Sequence, residues 1–266
     1  MLRVGLVGCG TIGGRVAQAL NRKYAKTARI TALHDSNPAH ASSLQRRLTP
    51  RPAILPLDSL IRRSDLIIEA ASPVVSGSLV ARALRAHRDV LVMSVGGLLG
   101  GAWRKEIRRS RGRVLIPSGA LAGLDGVKAL AIGRLRRASL TTRKPPRALA
   151  DAPYVRRRGL RLDRLTRARV IFDGTPRAAV SAFPQNTNIA AALALASGSS
   201  ARARIRVVAD PSITRNMHEL DVEGDCGRIR CRIESRPSSN PKTSELAVRS
   251  AIAALDRLFG AVAIGT

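Results

Sequence analysis

The first 35 residues follow the order of a strand, a glycine-rich turn, a helix and a second strand. Leu2–Val7 is a short apolar run, residues 8–13 have the pattern GxGxxG, and a helical run comes next. A second apolar run at residues 30–33 leads to Asp35, which follows Gly13 by 22 residues. In such a unit the first glycine permits the tight turn, the second admits a pyrophosphate close to the backbone, and the third lets the helix pack on the strand. The pattern predicts a dinucleotide-binding βαβ unit.

This unit supplies the first group of predicted cofactor contacts. They are Gly8, Gly10, Thr11, Ile12, Gly13 and Asp35. The N-terminus of the helix offers free N–H groups and a positive dipole end to phosphates. The carboxylate of Asp35 can accept hydrogen bonds from the adenosine ribose and would repel a 2′-phosphate, which favours NAD. The strongly positive charge of the chain leaves NADP open as a second cofactor.

Strand and helix patterns continue to alternate up to about residue 117. Further strands are predicted at residues 66–70, 89–93 and 113–116, with helices at 74–86 and 102–110 between them. Such alternation is typical of a Rossmann fold, a doubly wound parallel sheet that binds ligands beyond the carboxyl ends of its strands. We therefore expect the cofactor to contact the loops at 8–13, 35–37, 70–73, 94–97 and 117–120, including Ala71 and Ser72.

The pattern changes after this point, which predicts a second domain of α+β type. Strands are predicted at residues 138–143, 169–172, 202–208, 217–223 and 228–234, the last two as a hairpin around Gly224, with helices on one face of the sheet. The arginine-rich stretch 147–168 has no clear period and predicts a mobile loop. We expect a dinucleotide-binding domain at 1–118 and a catalytic and dimerisation domain at 119–241. The last helix, within 242–266, is expected to pack back on the first domain through Leu246, Ile252, Leu255 and Leu258.

The composition of the chain limits the kinds of partner that it is expected to bind. The formal charge is +28, and of the 46 basic residues six are lysines, so the other 40 are arginines spread along the chain. Aromatic residues make up only 2% of the chain, which leaves no stacking platform for single-stranded nucleic acid, and no nucleic-acid-binding motif is visible. We therefore expect no nucleic-acid partner. No apolar run approaches the ~20 residues that cross a bilayer, and no signal peptide is evident. Three cysteines suit a reducing cytoplasm.

Few side chains have the chemistry of a catalytic group. Among the four histidines, His218 differs because it lies on a predicted strand of the second domain. Its imidazole can exchange protons near neutral pH, although a strand histidine can also be purely structural. Two asparagines before a predicted helix, Asn186 and Asn188, could contact cofactor or substrate, or only cap the helix. No pattern of metal ligands is present, since Cys226 and Cys231 have no metal-binding spacing.

Taken together, the motifs resemble those of the L-aspartate dehydrogenase family, in family order and over nearly the whole chain. They are residues 4–13 (VGLVGCGTIG), 69–72 (EAAS), 117–120 (PSGA), 123–125 (GLD), 141–145 (TTRKP), 183–191 (FPQNTNIAA), 207–210 (VVAD), 216–219 (NMHE) and 240–244 (NPKTS). The resemblance implies NAD(P)-dependent oxidative deamination of L-aspartate, through iminoaspartate, to oxaloacetate and ammonia, as a supply for NAD synthesis. It also implies a homodimer.

The resemblance also assigns roles to particular residues. The catalytic histidine of the family falls on His218, and the family's cofactor contacts fall on the glycine loop, on Ala120 and on the segment with Asn186 and Asn188. Basic and small polar groups are expected to hold the substrate carboxylates. The candidates are Ser118, Lys144, Lys242 and Thr243.

Two other readings of the sequence remain at this point. One is a related Rossmann reductase of homoserine-dehydrogenase or dihydrodipicolinate-reductase type. The other is a basic NAD-sensing or nucleic-acid-binding protein without enzymatic turnover.

Overall fold

Two separate sheets organise the chain. The computed structural model describes residues 1–184, 188–198, 203–236, 238, 244–262 and 264–265. It divides into a first unit of Met1–Pro117 with Val248–Ile264, and a second unit of Ser118–Ala247 with Gly265–Thr266. Within the described residues, no helix has both the length and the apolar character needed to cross a bilayer.

The first unit is built on a six-stranded parallel sheet. Its strands are β1 (Leu2–Val7), β2 (Ala28–His34), β3 (Ala53–Ile54), β4 (Leu66–Glu69), β5 (Asp89–Val92) and β6 (Val114–Leu115), and its helices begin with α1 (Thr11–Lys23), α2 (Pro38–Arg46), α3 (Leu57–Arg63), α4 (Pro73–Arg85) and α5 (Trp103–Ile107). The strand order is β3-β2-β1-β4-β5-β6, with every pair parallel. This is the doubly wound order of dinucleotide-binding folds, and it confirms the predicted Rossmann domain.

The sequence explains how this sheet is covered. All four residues of β4 are buried, as expected for a central parallel strand with helices on both faces. Helix α1 buries Val16, Ala17 and Leu20, which recur at helical spacing and pack in one cluster with Leu6 and Leu33. The strand ends and the start of α1 are thereby held at one edge of the sheet.

The second unit is built on a mixed five-stranded sheet. Its helices are α6 (Leu124–Ile132), α7 (Pro153–Arg157), α8 (Pro176–Ala182) and α9 (Asn188–Ala196), and its strands are β7 (Leu135–Lys144), β8 (Arg169–Gly174), β9 (Ala203–Ala209), β10 (Asn216–Gly224) and β11 (Arg228–Ser235). The order is β11-β10-β7-β9-β8. The hairpin of β10 and β11 is confirmed. Three of the four strand pairs are antiparallel, and the long connection after β7 returns β9 parallel to it.

Burial alternates along the strands of this second sheet. In β10 every other residue is buried, from Asn216 through His218 to Gly224, and β7 alternates in the same way from Ala138 to Lys144. Helices α6, α8 and α9 contact the sheet strands. The sheet therefore has one covered face, and its other face carries half-buried and exposed polar side chains.

The stretch 147–168 is ordered, contrary to the prediction of a mobile loop. It contains α7 and two short 3₁₀ turns, at Pro146–Ala148 and Leu162–Arg164. Leu149, Val155 and Leu162 are buried in the hydrophobic core of the second unit. Because arginines separate these apolar residues, the sequence shows no regular period, yet each apolar residue still packs inward.

The last helix, α10 (Glu245–Phe259), contributes to the core of the first unit. Ala251 and Leu255 are fully buried in the cluster that contains α1, and Asp256 accepts hydrogen bonds from Lys23 and Tyr24. The prediction of the apolar face of α10 was wrong for the first residue of that face, Leu246. Leu246 is 39% exposed, and Val248 is the first fully buried residue of this helix.

Candidate functional site

The glycine turn after β1 has the shape of a phosphate cradle. Gly8 has a φ of +92°, and a side chain there would come within 2.5 Å of the Ala70 carbonyl group. A side chain at Gly13 would overlap the carbonyl oxygen of Gly8, whereas the space beside Gly10 is open for 4 Å. Two glycines are therefore required by close packing, and the third leaves room where a pyrophosphate must approach the backbone. The residues present fit a dinucleotide.

The N-terminus of α1 faces this open space without a side-chain cap. Gly10 is the N-cap residue, and the first turn contains no acidic residue. Thr11, Ile12 and Gly13 lie in that first turn, where backbone N–H groups have no partner within the helix. The positive end of the helix dipole is therefore available to a bound phosphate.

Asp35 lies beside the same turn, directly after β2. Its Oδ2 accepts a hydrogen bond from the Cys9 backbone N–H at 2.6 Å, and its Oδ1 accepts one from the Asn37 N–H at 2.8 Å. These bonds lock the carboxylate in one orientation while each oxygen retains a further lone pair for a ribose hydroxyl. The neighbouring Cys9 is buried, and burial followed by the charge of Asp35 raises the pKa of its thiol to about 12, so this thiol is unreactive.

The loop after β4 forms a third wall of this cradle. Ala71 is exposed, and Ser72 is the N-cap residue of α4. Both lie at the carboxyl edge of the sheet, next to the glycine turn that contacts the Ala70 backbone. The structure thus brings together the eight predicted cofactor residues of the first unit. They are Gly8, Gly10, Thr11, Ile12, Gly13, Asp35, Ala71 and Ser72.

In the second unit, His218 lies opposite Thr142 in the pairing of β10 with β7. The Thr142 Oγ1 and the His218 Nδ1 are 3.1 Å apart, and both residues are almost fully buried. When Nδ1 carries the proton it donates to this oxygen, and the lone pair of the imidazole then lies on Nε2. The Thr142 hydroxyl can accept from a protonated Nδ1 or donate to an unprotonated one, so it fixes the position of the ring and leaves Nε2 as the nitrogen without a bond to Thr142.

Lys144 lies two residues beyond Thr142 on the same covered face of β7 and is 4% exposed. Burial lowers the pKa of the Lys144 ammonium to about 8. Burial, and then the charge of Lys144, lower the pKa of His218 to about 3. At neutral pH this end of the sheet therefore holds a cationic lysine beside a neutral histidine, which is the form that can accept a proton.

The covered face of this sheet changes from apolar to polar along its length. Ala138, Leu140, Leu220 and Val222 are buried at one end, and Thr142, Lys144, Asn216 and His218 at the other. The polar end continues on β11, where Ser235 accepts a hydrogen bond from Ser244. Buried polar groups concentrated in this way are costly for a core, and they are typical of a binding site.

The other site residues predicted in the second unit lie on different elements. Ser118 is exposed in the turn that follows β6, and the methyl group of Ala120 packs in the hydrophobic core. Asn188 begins α9, and the next residue, Ile189, approaches Gly119 in the same turn. The start of α9 therefore lies next to the turn that contains Ser118 and Ala120. Asn186, Lys242 and Thr243 lie outside the described residues.

The exposed face of the second sheet carries a broad groove of about 650 Å³. It is lined by arginines and carboxylates, among them the pairs of Arg204 and Arg206 with Asp173. Among the residues that the structure describes, none of those predicted for catalysis or binding lines this groove. Over the part of the chain that the structure describes, no three histidine, cysteine, aspartate or glutamate side chains lie together as a metal site.

Sequence reasoning missed two residues that the structure places in these sites. Glu69 ends β4 and is fully buried, with its carboxylate bonded to the Ala71 and Ser94 N–H groups. An acidic residue at the end of an otherwise apolar central strand was the available signal. Thr142 contacts His218 through strand pairing across 76 residues of sequence, and no local pattern reveals such a contact.

A parallel sheet in this order, with a glycine cradle and a locked acidic residue after β2, defines the first unit as an NAD(P)-binding domain of the dehydrogenase class. The model "Homoserine dehydrogenase, NAD binding domain" matches residues 8–115, and the model "Aspartate dehydrogenase, C-terminal" matches residues 125–258. L-aspartate dehydrogenase from Methanosarcina barkeri is 40% identical over the full length of both chains. The chain belongs to the L-aspartate dehydrogenase family.

Two further comparisons agree with this membership. L-aspartate dehydrogenase from Bradyrhizobium diazoefficiens is 36% identical and covers all of this chain and 94% of its own length. A crystal structure of aspartate dehydrogenase from Thermotoga maritima is 23% identical, covers both chains completely and superimposes with a TM-score of 0.76. At that identity, the structural likeness supports the fold alone. The enzyme class and the NAD(P) cofactor follow from family membership.

Proposed function

We propose that this chain catalyses the NAD(P)-dependent oxidative deamination of L-aspartate. Aspartate, water and the oxidised cofactor become oxaloacetate, ammonium, the reduced cofactor and one proton, through iminoaspartate. The observation that carries this proposal is the buried group of His218, Thr142 and Lys144, in a unit that matches the aspartate dehydrogenase model. The family relationship supports the substrate.

The first unit would bind the dinucleotide. The open space beside Gly10 and the N-terminus of α1 would hold the pyrophosphate, and Asp35 would accept hydrogen bonds from the adenosine ribose. When bound, the nicotinamide accepts a hydride from the substrate. Asp35 favours NAD, because its locked carboxylate would stand against a 2′-phosphate.

His218 would act as the general base. Its Nε2 would take a proton from the substrate amine as the Cα hydride leaves, and the product of this step is the imine. The imidazolium would return this proton to the imine nitrogen, and the freed Nε2 would then take a proton from the water that adds to the iminium carbon. Passing that proton to the amino group would let ammonia depart, and the hydroxyl proton would be lost as the carbonyl forms. When Nε2 holds the transferred proton, the Thr142 hydroxyl would accept a hydrogen bond from the Nδ1–H of the imidazolium and stabilise it. Proton transfer of this kind contributes roughly 10²–10⁴-fold.

Lys144 would bind a substrate carboxylate. Its ammonium group is buried close enough to His218 to lower the pKa of that residue. A carboxylate placed between them would offset the lysine charge and raise the pKa of the imidazole towards the working pH. Ser118, Lys242 and Thr243 remain further candidates for the carboxylates, and Ala120, Asn186 and Asn188 for the cofactor.

We extend the proposal to domains, assembly and location. The first unit, with the last helix, is the dinucleotide-binding domain, and the second is the catalytic and dimerisation domain. The family resemblance supports a homodimer, which light scattering of the purified protein tests by a mass of two chains. The three free cysteines suit a cytoplasmic enzyme, and cell fractionation tests that location. Supply of iminoaspartate to NAD synthesis is the role we propose for the reaction.

A screen of amino acids with both cofactors tests the proposed activity. We expect reduction of the cofactor with L-aspartate, together with ammonia and oxaloacetate, and a higher kcat/KM with NAD than with NADP. Turnover of homoserine or of a dihydrodipicolinate-type substrate instead would contradict it and favour a related reductase. Salt-sensitive retention on DNA without any turnover would identify a binding protein.

A further inference from the structure

Glu69 is a charged side chain in a place where a charge is costly. It ends the central strand β4, pairs with Val7 of β1 and Val92 of β5, and is 0% exposed. Burial raises the pKa of its carboxyl group. A neutral side chain of similar shape would avoid this desolvation cost. A carboxylate at this position must therefore make interactions that offset the desolvation cost.

The carboxylate joins two loops at the carboxyl edge of the sheet. Its Oε1 accepts a hydrogen bond from the Ala71 N–H at 2.9 Å, and its Oε2 accepts one from the Ser94 N–H at 2.9 Å. Two acceptor oxygens are needed to receive two N–H donors. A carboxamide has one acceptor and one donor group, so it would set an N–H against another N–H at one of the two loops.

The first of these loops, after β4, lies directly against the glycine turn. The backbone of Ala70 and Ala71 touches the face of Gly8, where a side-chain carbon would come within 2.5 Å of the Ala70 carbonyl. A further hydrogen bond holds the loop after β5, because the Ser76 hydroxyl donates to the Ser94 carbonyl at 2.7 Å. The position of Gly8 therefore depends on the loop that Glu69 holds.

We propose that Glu69 is a positioning residue for the dinucleotide site, holding the loops after β4 and β5 in the arrangement that binds the cofactor. It does not touch the reacting atoms. The inference rests on dinucleotide binding by the first unit and is independent of aspartate as the substrate. A binding measurement without an amino acid therefore tests it separately from the proposed activity.

The test is a fluorescence titration of NADH against the wild-type protein and the variant Glu69→Gln. We expect the Kd for NADH to rise about tenfold, which corresponds to the loss of one hydrogen bond to a charged group. The number of binding sites per chain should stay at the wild-type value. A merely structural role would lower that number through unfolding and leave the Kd of the folded molecules unchanged.

The matched control is Ser64→Ala, just before the amino end of β4. Ser64 is also 0% exposed, and its hydroxyl donates to the Leu60 carbonyl at 2.7 Å, away from the cofactor loops. We expect this variant to lose stability while its Kd for NADH stays within about twofold of wild type. If Glu69→Gln does not fold, Glu69→Asp replaces it, since a shorter carboxylate cannot reach both N–H groups and should also raise the Kd. An unchanged Kd in the folded variant, or an equal rise in Ser64→Ala, overturns the proposal.

Discussion

Replacing Thr142 by valine removes the hydrogen-bond partner of the His218 Nδ1. The two side chains have nearly the same shape, so the change removes the hydroxyl oxygen that lies 3.1 Å from Nδ1 and leaves the packing of β7 intact. The imidazolium that forms when Nε2 takes a proton carries N–H groups on both nitrogens, and in the variant its Nδ1–H has no hydroxyl oxygen to donate to. The protonated form of His218 is therefore less stable in the variant, and Nε2 is a weaker base.

The structure sets the size of this effect. Both partners are almost fully buried, at 1% and 3% exposure, so water does not replace the lost bond. Leaving a buried polar atom unsatisfied costs about 1–3 kcal/mol. Since about 1.4 kcal/mol corresponds to a factor of ten, we expect kcat to fall roughly 5- to 100-fold, and the free energy of unfolding to fall by about 1–3 kcal/mol.

The assay is steady-state reduction of NAD with aspartate, together with an NADH titration. The matched control is Thr141→Val on the opposite face of the same strand, where Thr141 lines the exposed groove. We expect wild-type kcat in the control and an unchanged Kd for NADH in both variants. Equal activity of Thr142→Val and wild type would refute the argument that this hydroxyl prepares the base.

Two more predictions follow from the charged groups of the two units. Because the pKa of Lys144 is about 8, its ammonium loses its proton as the pH rises through that value. We expect kcat/KM for aspartate to fall above about pH 8 in the wild-type enzyme. The variant Lys144→Met should have a higher KM for aspartate, and its pH profile should lack this alkaline fall. Asp35→Ser removes the locked carboxylate, so the ratio of kcat/KM for NAD to that for NADP should fall about 10-fold or more, and an unchanged ratio in parallel assays would argue against Asp35 as the specificity residue.

Local patterns were sufficient to predict the first unit. The glycine turn, the helix after it and Asp35 lie within 35 residues, and each follows from rules of turn geometry and helix packing that act over short distances. The alternating strands and helices then restrict the topology to a parallel sheet. The predicted NAD(P) cofactor and the family were confirmed by the comparisons.

The arrangement of the second unit depends on contacts that the sequence does not display. Thr142 meets His218 only because β7 pairs with β10 in one register, and a shift by one residue would turn either side chain to the exposed face. The role of Glu69 depends in the same way on the distance between two loops that adjacent strands bring together. The catalytic role of His218 came from family resemblance, and it stays a prediction.

His218→Ala provides the most direct measurement of the central claim, that one buried imidazole performs the proton transfers of aspartate oxidation. Turnover of aspartate and the Kd for NADH are measured on the same preparation. We predict that kcat falls roughly 10²–10⁴-fold, with the Kd for NADH close to wild type and the variant still folded at the assay temperature. Near-normal turnover by this variant would contradict the account.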